Sequence, residues 1–179
     1  MKKTKKHTVV FRTAVTGILA ALALSLSFAE RALMAAFPLP MGIKPGISNI
    51  IVMFACTSAG LVPSLGICLA KAGFAALLSG GASGIISLSG GLLSVLTMYL
   101  TSRWLGKKLS YTGISVLSAV MHNMGQLLAA SALTGSLALQ GLLPALLISG
   151  TVFGFATGTI MNIIMPHIKK LKAFNSEKA

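Results

Sequence analysis

The chain has 179 residues, of which 55% are apolar and 9% charged, and its formal net charge is +13. An ordinary soluble domain carries about 25% charged residues, so that class is excluded. Fifteen Lys and Arg stand against two Glu and no Asp. A nucleic-acid binder gathers its basic residues on one face of a soluble fold; here they flank long apolar stretches and read as membrane topology.

Most of the basic residues fall in three clusters: Lys2, Lys3, Lys5, Lys6 and Arg12; then Arg103, Lys107 and Lys108; then Lys169, Lys170 and Lys172. Short loops rich in Lys and Arg stay on the cytoplasmic side. All three clusters on one side require an even number of spans between each pair.

The first span runs from Thr13 to Phe37 and stops at Pro38 and Pro40, which a helix interior tolerates badly. Ser27 and Ala29 resemble a signal-peptide cleavage site. The apolar pattern resumes at Ala32, however, and cleavage leaves an odd span number, so the segment reads as a retained helix. Thr13, Gly17, Ala21, Ser25 and Ala29 recur every fourth position and form a smooth face. Such a face lets another helix approach closely in lipid, either within the chain or on a partner, with Gly17, Ala21 and Ser25 forming the contact.

Gly42 to Asn49 lie between the first two spans. Pro45 suits the first turn of a helix, which would point its N–H groups and Lys44 outward as an anion site. The plainer reading is a capped helix with Lys44 at the lipid headgroups. Ile47 to Gly60 and Pro63 to Gly80 read as two short helices broken near Gly60, because one long span would put Arg103 to Lys108 outside. Lys71 lies halfway along the third helix, too deep to snorkel comfortably. It calls for either an ion-pair partner, with Glu30 as the intramembrane carboxylate, or an anionic ligand.

Gly80 to Gly84 read as a flexible turn. The fourth span is Ile85 to Trp104, the fifth Tyr111 to about Leu133, and the sixth Gly141 to Met165. Trp104 and Tyr111 flank the middle basic loop, as interfacial aromatics do. On the fifth span Ser115, Ser118, His122 and Gln126 share one stripe at about 100° per residue, with Asn123 beside it. Such groups must face the bundle interior or a cavity, where they either bond helices together or meet a ligand. Gly150, Gly154 and Gly158 are expected to serve internal packing. Cys56 and Cys68 form no CxxC and read as small buried residues.

The strings GIKPGISNI, SLSGGLLSVL and VLSAVMHNMGQLLAA resemble the Gx transporter family, also called heptaprenyl diphosphate synthase component I, over about Arg12 to Met165. That family is similar to the substrate-binding components of energy-coupling factor transporters. The resemblance implies six helices around an outward-facing pocket, with the first helix docked on a transmembrane partner driven by two ATPases. It suggests isoprenoid or quinone precursors, or flavins, as solutes. Lys71 departs from the arginine common at that place, which keeps the charge and loses the planar fork.

The enzymatic name meets an obstacle in the residues. Prenyl diphosphate chemistry holds Mg²⁺ through Asp-rich motifs, and this chain has no Asp. No phosphate loop G-x-x-x-x-G-K-[ST] and no nucleophile elbow appear, and Met121, His122 and Met124 point different ways around their helix. No catalytic residue, metal or cofactor is therefore expected.

The expectation is an all-α polytopic membrane protein, a compact bundle of six transmembrane helices over 13–165. A basic segment 1–12 and a basic tail 166–179 would both be cytoplasmic. Its function would be that of a substrate-binding importer component in a bacterial cytoplasmic membrane, capturing a small anionic amphipathic solute through Lys44, Asn49, Lys71, His122, Asn123 and Gln126. The alternative is a non-transporting accessory subunit for prenyl-lipid synthesis or membrane redox assembly.

Overall fold

The structure is a computed structural model that describes residues 2–36, 46–106 and 108–176. These form six α-helices: α1 Lys2–Ala36, α2 Asn49–Ser58, α3 Leu61–Ser79, α4 Gly81–Trp104, α5 Tyr111–Thr134 and α6 Leu143–Ser176. A 3-10 turn at Leu137–Leu142 precedes α6, and there is no strand among the described residues. The expected all-α bundle is what the chain forms.

Among the described residues five segments are long and apolar enough to cross a membrane: Arg12–Ala36, Leu61–Ser79, Gly81–Trp104, Tyr111–Thr134 and Ala138–Ile168. α2 differs. Its ten residues rise only about 15 Å, half of a hydrocarbon core ~30 Å thick. The bundle thus holds five full-length helices and one half-length helix.

The break expected near Gly60 is present, and its cause is conformational. Gly60 has φ +95° between α2 and α3, a value that L side chains rarely adopt. Pro63 follows in the first turn of α3, where the missing N–H leaves no intrahelical bond unmade. The turn expected over Gly80 to Gly84 contracts to Gly80 alone, at φ +84°, and α4 begins at Gly81. Gly84 serves packing instead, since a Cβ there would meet the Ala76 Cβ at 2.7 Å. Helices α1 and α6 also outrun their expected limits, and Pro166 lies inside α6.

Short connections make α3, α4, α5 and α6 successive antiparallel neighbours, and α1 packs on α2 and α3. Arg31 near the end of α1 bonds Ser79 at the end of α3, so those two helices run parallel. Asn162 late in α6 bonds Thr112 and the Tyr111 N–H at the start of α5. Arg12, the α4–α5 turn with Arg103 and Lys108, and the C-terminal part of α6 therefore gather at one end, as the parity argument requires.

The half-length α2 fills that same end, packed against α1, α3, α4 and α6. Val52, Met53 and Cys56 from it meet Ile67, Val95, Met98, Met161 and Met165 in the buried core. Close approach of α5 and α6 depends on glycine. A Cβ on Gly158 would meet the Thr112 Cα, and one on Gly154 would lie 2.7 Å from the Val116 Cα. The expected packing role of these glycines is thus realised against α5. Outward surfaces are apolar: Leu77 is 86% exposed, Val62 79% and Trp104 75%, a distribution suited to lipid.

α1 carries two different faces. Leu19 and Ala23 are buried against the bundle, whereas Thr13, Gly17, Ala21, Ser25 and Ala29 are all exposed. A Cβ built on Gly17 meets nothing within 4 Å. The small-residue face is therefore not used for packing within the described bundle.

Candidate functional site

A cavity of about 240 Å³ opens inside the bundle, walled by residues of all six helices. From α1 come Ser27, Glu30, Arg31 and Met34, spaced at i, i+3, i+4 and i+7 and so on one helical face. α5 contributes Ser115, Ser118, His122, Asn123 and Gln126. The polar stripe read from the sequence thus faces a cavity rather than lipid. Phe74 and Phe153, from α3 and α6, supply apolar surface.

Lys71 projects from the middle of α3 and is half-buried. Its ammonium donates to Ser48 Oγ at 2.9 Å and to Asn49 Oδ1 at 2.8 Å. Because Asn49 is the first residue of α2, that helix begins level with mid-α3. The Ser48 N–H and hydroxyl in turn donate to the two carboxylate oxygens of Glu30, each at 3.1 Å. Glu30, Ser48, Lys71 and Asn49 form one connected network on the cavity wall.

This arrangement corrects the expected anion site. α2 starts at Asn49 and not near Pro45, and its leading N–H groups are already engaged. Asn49 N–H donates to Gly46 O and Ile50 N–H to Ile47 O, at 2.9 and 3.0 Å, while Glu30 takes that of Ser48. The chain supplies its own carboxylate where the helix dipole favours one. Lys44 lies outside the described residues.

Asn123 also has structural work. Its Nδ2 donates to Leu146 O at 2.7 Å and to Ser149 Oγ at 3.4 Å, tying α5 to α6. Ser115 and Thr157 share a hydrogen bond of 2.7 Å across the same seam. His122 and Gln126 pack on Gly90 of α4, where a Cβ would meet the Gln126 Cγ at 2.6 Å and His122 O at 2.8 Å. That glycine fixes how far both side chains stand from α4.

Asn49, Lys71, His122, Asn123 and Gln126 are thus brought to one cavity. Sequence reasoning missed Ser48, the residue that joins Lys71 to Glu30, along with Arg31, Phe74 and Phe153. The i, i+3, i+4, i+7 stripe of α1 was a usable signal for Glu30, Arg31 and Met34. Nothing marked Ser48 beyond its place beside Asn49. Cys56 and Cys68 are free and buried. No group of three or more His, Cys, Asp or Glu is placed to hold a metal among the described residues.

Such a bundle defines a polytopic helical membrane protein with a cavity between its helices that is apolar apart from a few convergent polar groups. The family model described as heptaprenyl diphosphate synthase component I matches residues 19–164, and the chain belongs to that family. No curated protein and no solved structure matches the chain. The family description names a component of a prenyl diphosphate synthase, and this chain has no aspartate.

Proposed function

We propose that the protein is the membrane-embedded solute-binding component of an importer of the energy-coupling factor type. Its solute would be a small anion with an apolar body. The observation that carries this reading is Lys71: an ammonium at mid-membrane depth, on the wall of a cavity that also presents Phe74 and Phe153. Ionisable groups inside membranes are costly and mark solute pathways, and few convergent polar groups in an apolar pocket orient a ligand.

Volume restricts the solute. An engineered cavity of ~150 Å³ accepts benzene, so about 240 Å³ encloses on the order of ten heavy atoms by the same scaling. That size favours a short isoprenoid or small aromatic acid over a flavin. The lining reaches Arg31 and Met34 at the end opposite Arg103 and Lys108. With basic turns cytoplasmic, capture occurs from the outer side. Lacking a nucleotide-binding loop, the chain would couple to a transmembrane partner and two ATPases through the exposed face of Gly17, Ala21 and Ser25, in a bacterial cytoplasmic membrane.

The test is purification with native lipids followed by mass spectrometry of retained small molecules. A stoichiometric anionic compound is expected. Recovery of synthase or redox subunits with no retained solute would overturn the importer reading and establish an accessory subunit.

A further inference from the structure

A second, much smaller chamber of about 10 Å³ adjoins the main cavity, sharing Asn49, Lys71, Ser87 and His122 with it. Its remaining polar wall is Ser94 of α4, which is 2% exposed. The Ser94 hydroxyl is buried and has no hydrogen-bond partner among the described residues. On the same helix Thr97, Thr101 and Ser102 turn their hydroxyls back onto the carbonyls of Leu93, Thr97 and Met98. That is the ordinary local way for a helical hydroxyl to satisfy itself, and Ser94 does not take it. A buried donor left unsatisfied in a native wall asks for a specific explanation.

The dimensions supply one. A chamber of this volume has room for a single oxygen atom, since one water needs about 10–15 Å³ by the same measure. We propose that it is the subsite for one oxygen of an oxyanion, a carboxylate or a phosphate. Ser94 donates the hydrogen bond and Lys71, on the shared wall, carries the countercharge. This rests on the main cavity being a solute site and fixes the solute's orientation: acidic group toward α4, apolar body along Phe74 and Phe153.

The experiment uses the full chain in detergent, with butyl, hexyl and octyl phosphate, hexanoate and hexylamine as probes, read by calorimetry and thermal shift. The phosphates and hexanoate are expected to bind and hexylamine is not. Ser94→Ala is expected to weaken the anions by roughly tenfold. Its unliganded melting temperature should be unchanged or higher, because an unpaired buried hydroxyl is removed. Affinity that stops rising between hexyl and octyl phosphate identifies an enclosed free solute, whereas a continued rise identifies a membrane-borne amphiphile; the subsite stands in either case. If the anions bind equally to wild type and Ser94→Ala, the subsite is overturned and the solute site survives. If the wild type binds none of them, both readings fall.

Discussion

Glu30 and Lys71 are joined through a single residue. Ser48 gives its N–H and hydroxyl to the carboxylate at 3.1 Å each, and its hydroxyl oxygen accepts from the ammonium at 2.9 Å. α1, the start of α2 and the middle of α3 are thereby pinned at one point on the cavity wall. The link also explains how a lysine sits at this depth, since intramembrane charges persist where they are compensated or meet a polar cavity.

Lys71→Met is expected to weaken binding of a small anion by about ten- to a hundred-fold, the worth of a hydrogen bond to a charged group. It should also lower thermal stability, because the Glu30 carboxylate is left in the membrane without its countercharge. Adding Glu30→Gln should restore stability and leave binding weak. Ligand retention and melting temperature on the single and double variants separate the two effects. A double variant that binds like wild type would reduce Lys71 to a structural partner.

Topology follows from the shared end of Arg12, Arg103 and Lys108. Ser83→Cys, at the opposite end in the first turn of α4, should react with an impermeant maleimide in intact cells, and Lys108→Cys should not. Cys56 and Cys68 are only 7% and 3% exposed, so background labelling is low. Reaction of position 108 from outside would invert the orientation.

Of the six spans read from the sequence, five are full-length helices, and these and the inward stripe of Ser115, Ser118, His122 and Gln126 rest on local pattern, whereas the break at Gly60 was legible from the parity of the basic clusters. The start of α2 was not legible. A local rule placed it at Pro45, whereas the structure sets it at Asn49, beneath a carboxylate eighteen residues earlier in sequence. Gly84 read as turn composition and is a packing contact, a distinction that the facing Ala72 and Ala76 of α3 make. The double role of Asn123, facing the cavity and clamping Leu146 O, depends on an α5–α6 register that no single helix encodes.

Two glycine substitutions separate packing from propensity. Gly90→Ala places a Cβ 2.6 Å from Gln126 Cγ and 2.8 Å from the backbone oxygen of His122. α4 and α5 must then part, at a cost of about 1–3 kcal/mol typical of overpacking, and Gln126 is pushed off its place on the cavity wall. Gly73→Ala meets nothing within 4 Å and should be neutral or gain up to ~1 kcal/mol from helix propensity. Melting temperatures of the two variants should move in opposite directions or differ clearly. A Gly90→Ala variant that melts no lower than Gly73→Ala would show that the α4–α5 contact yields without cost.

The outward face of α1 gives the last prediction. Gly17, Ala21 and Ser25 are exposed, and among the described residues no other helix comes within 4 Å of a Cβ built on Gly17. Ala21 lies on the same exposed face, so Ala21→Trp should preserve the monomer's melting temperature and its binding of small anions. The same change fills the smooth surface that lets a second backbone come close in lipid, where association depends on packing rather than on water exclusion. Recovery of a transmembrane coupling subunit and its ATPases by affinity purification from the native membrane should fall several-fold, while Phe28→Ala, a large-to-small change at another exposed position of α1, should have little effect. Undiminished recovery with Ala21→Trp would remove α1 as the docking helix. A drop in the monomer's melting temperature would show that the face packs against this chain after all.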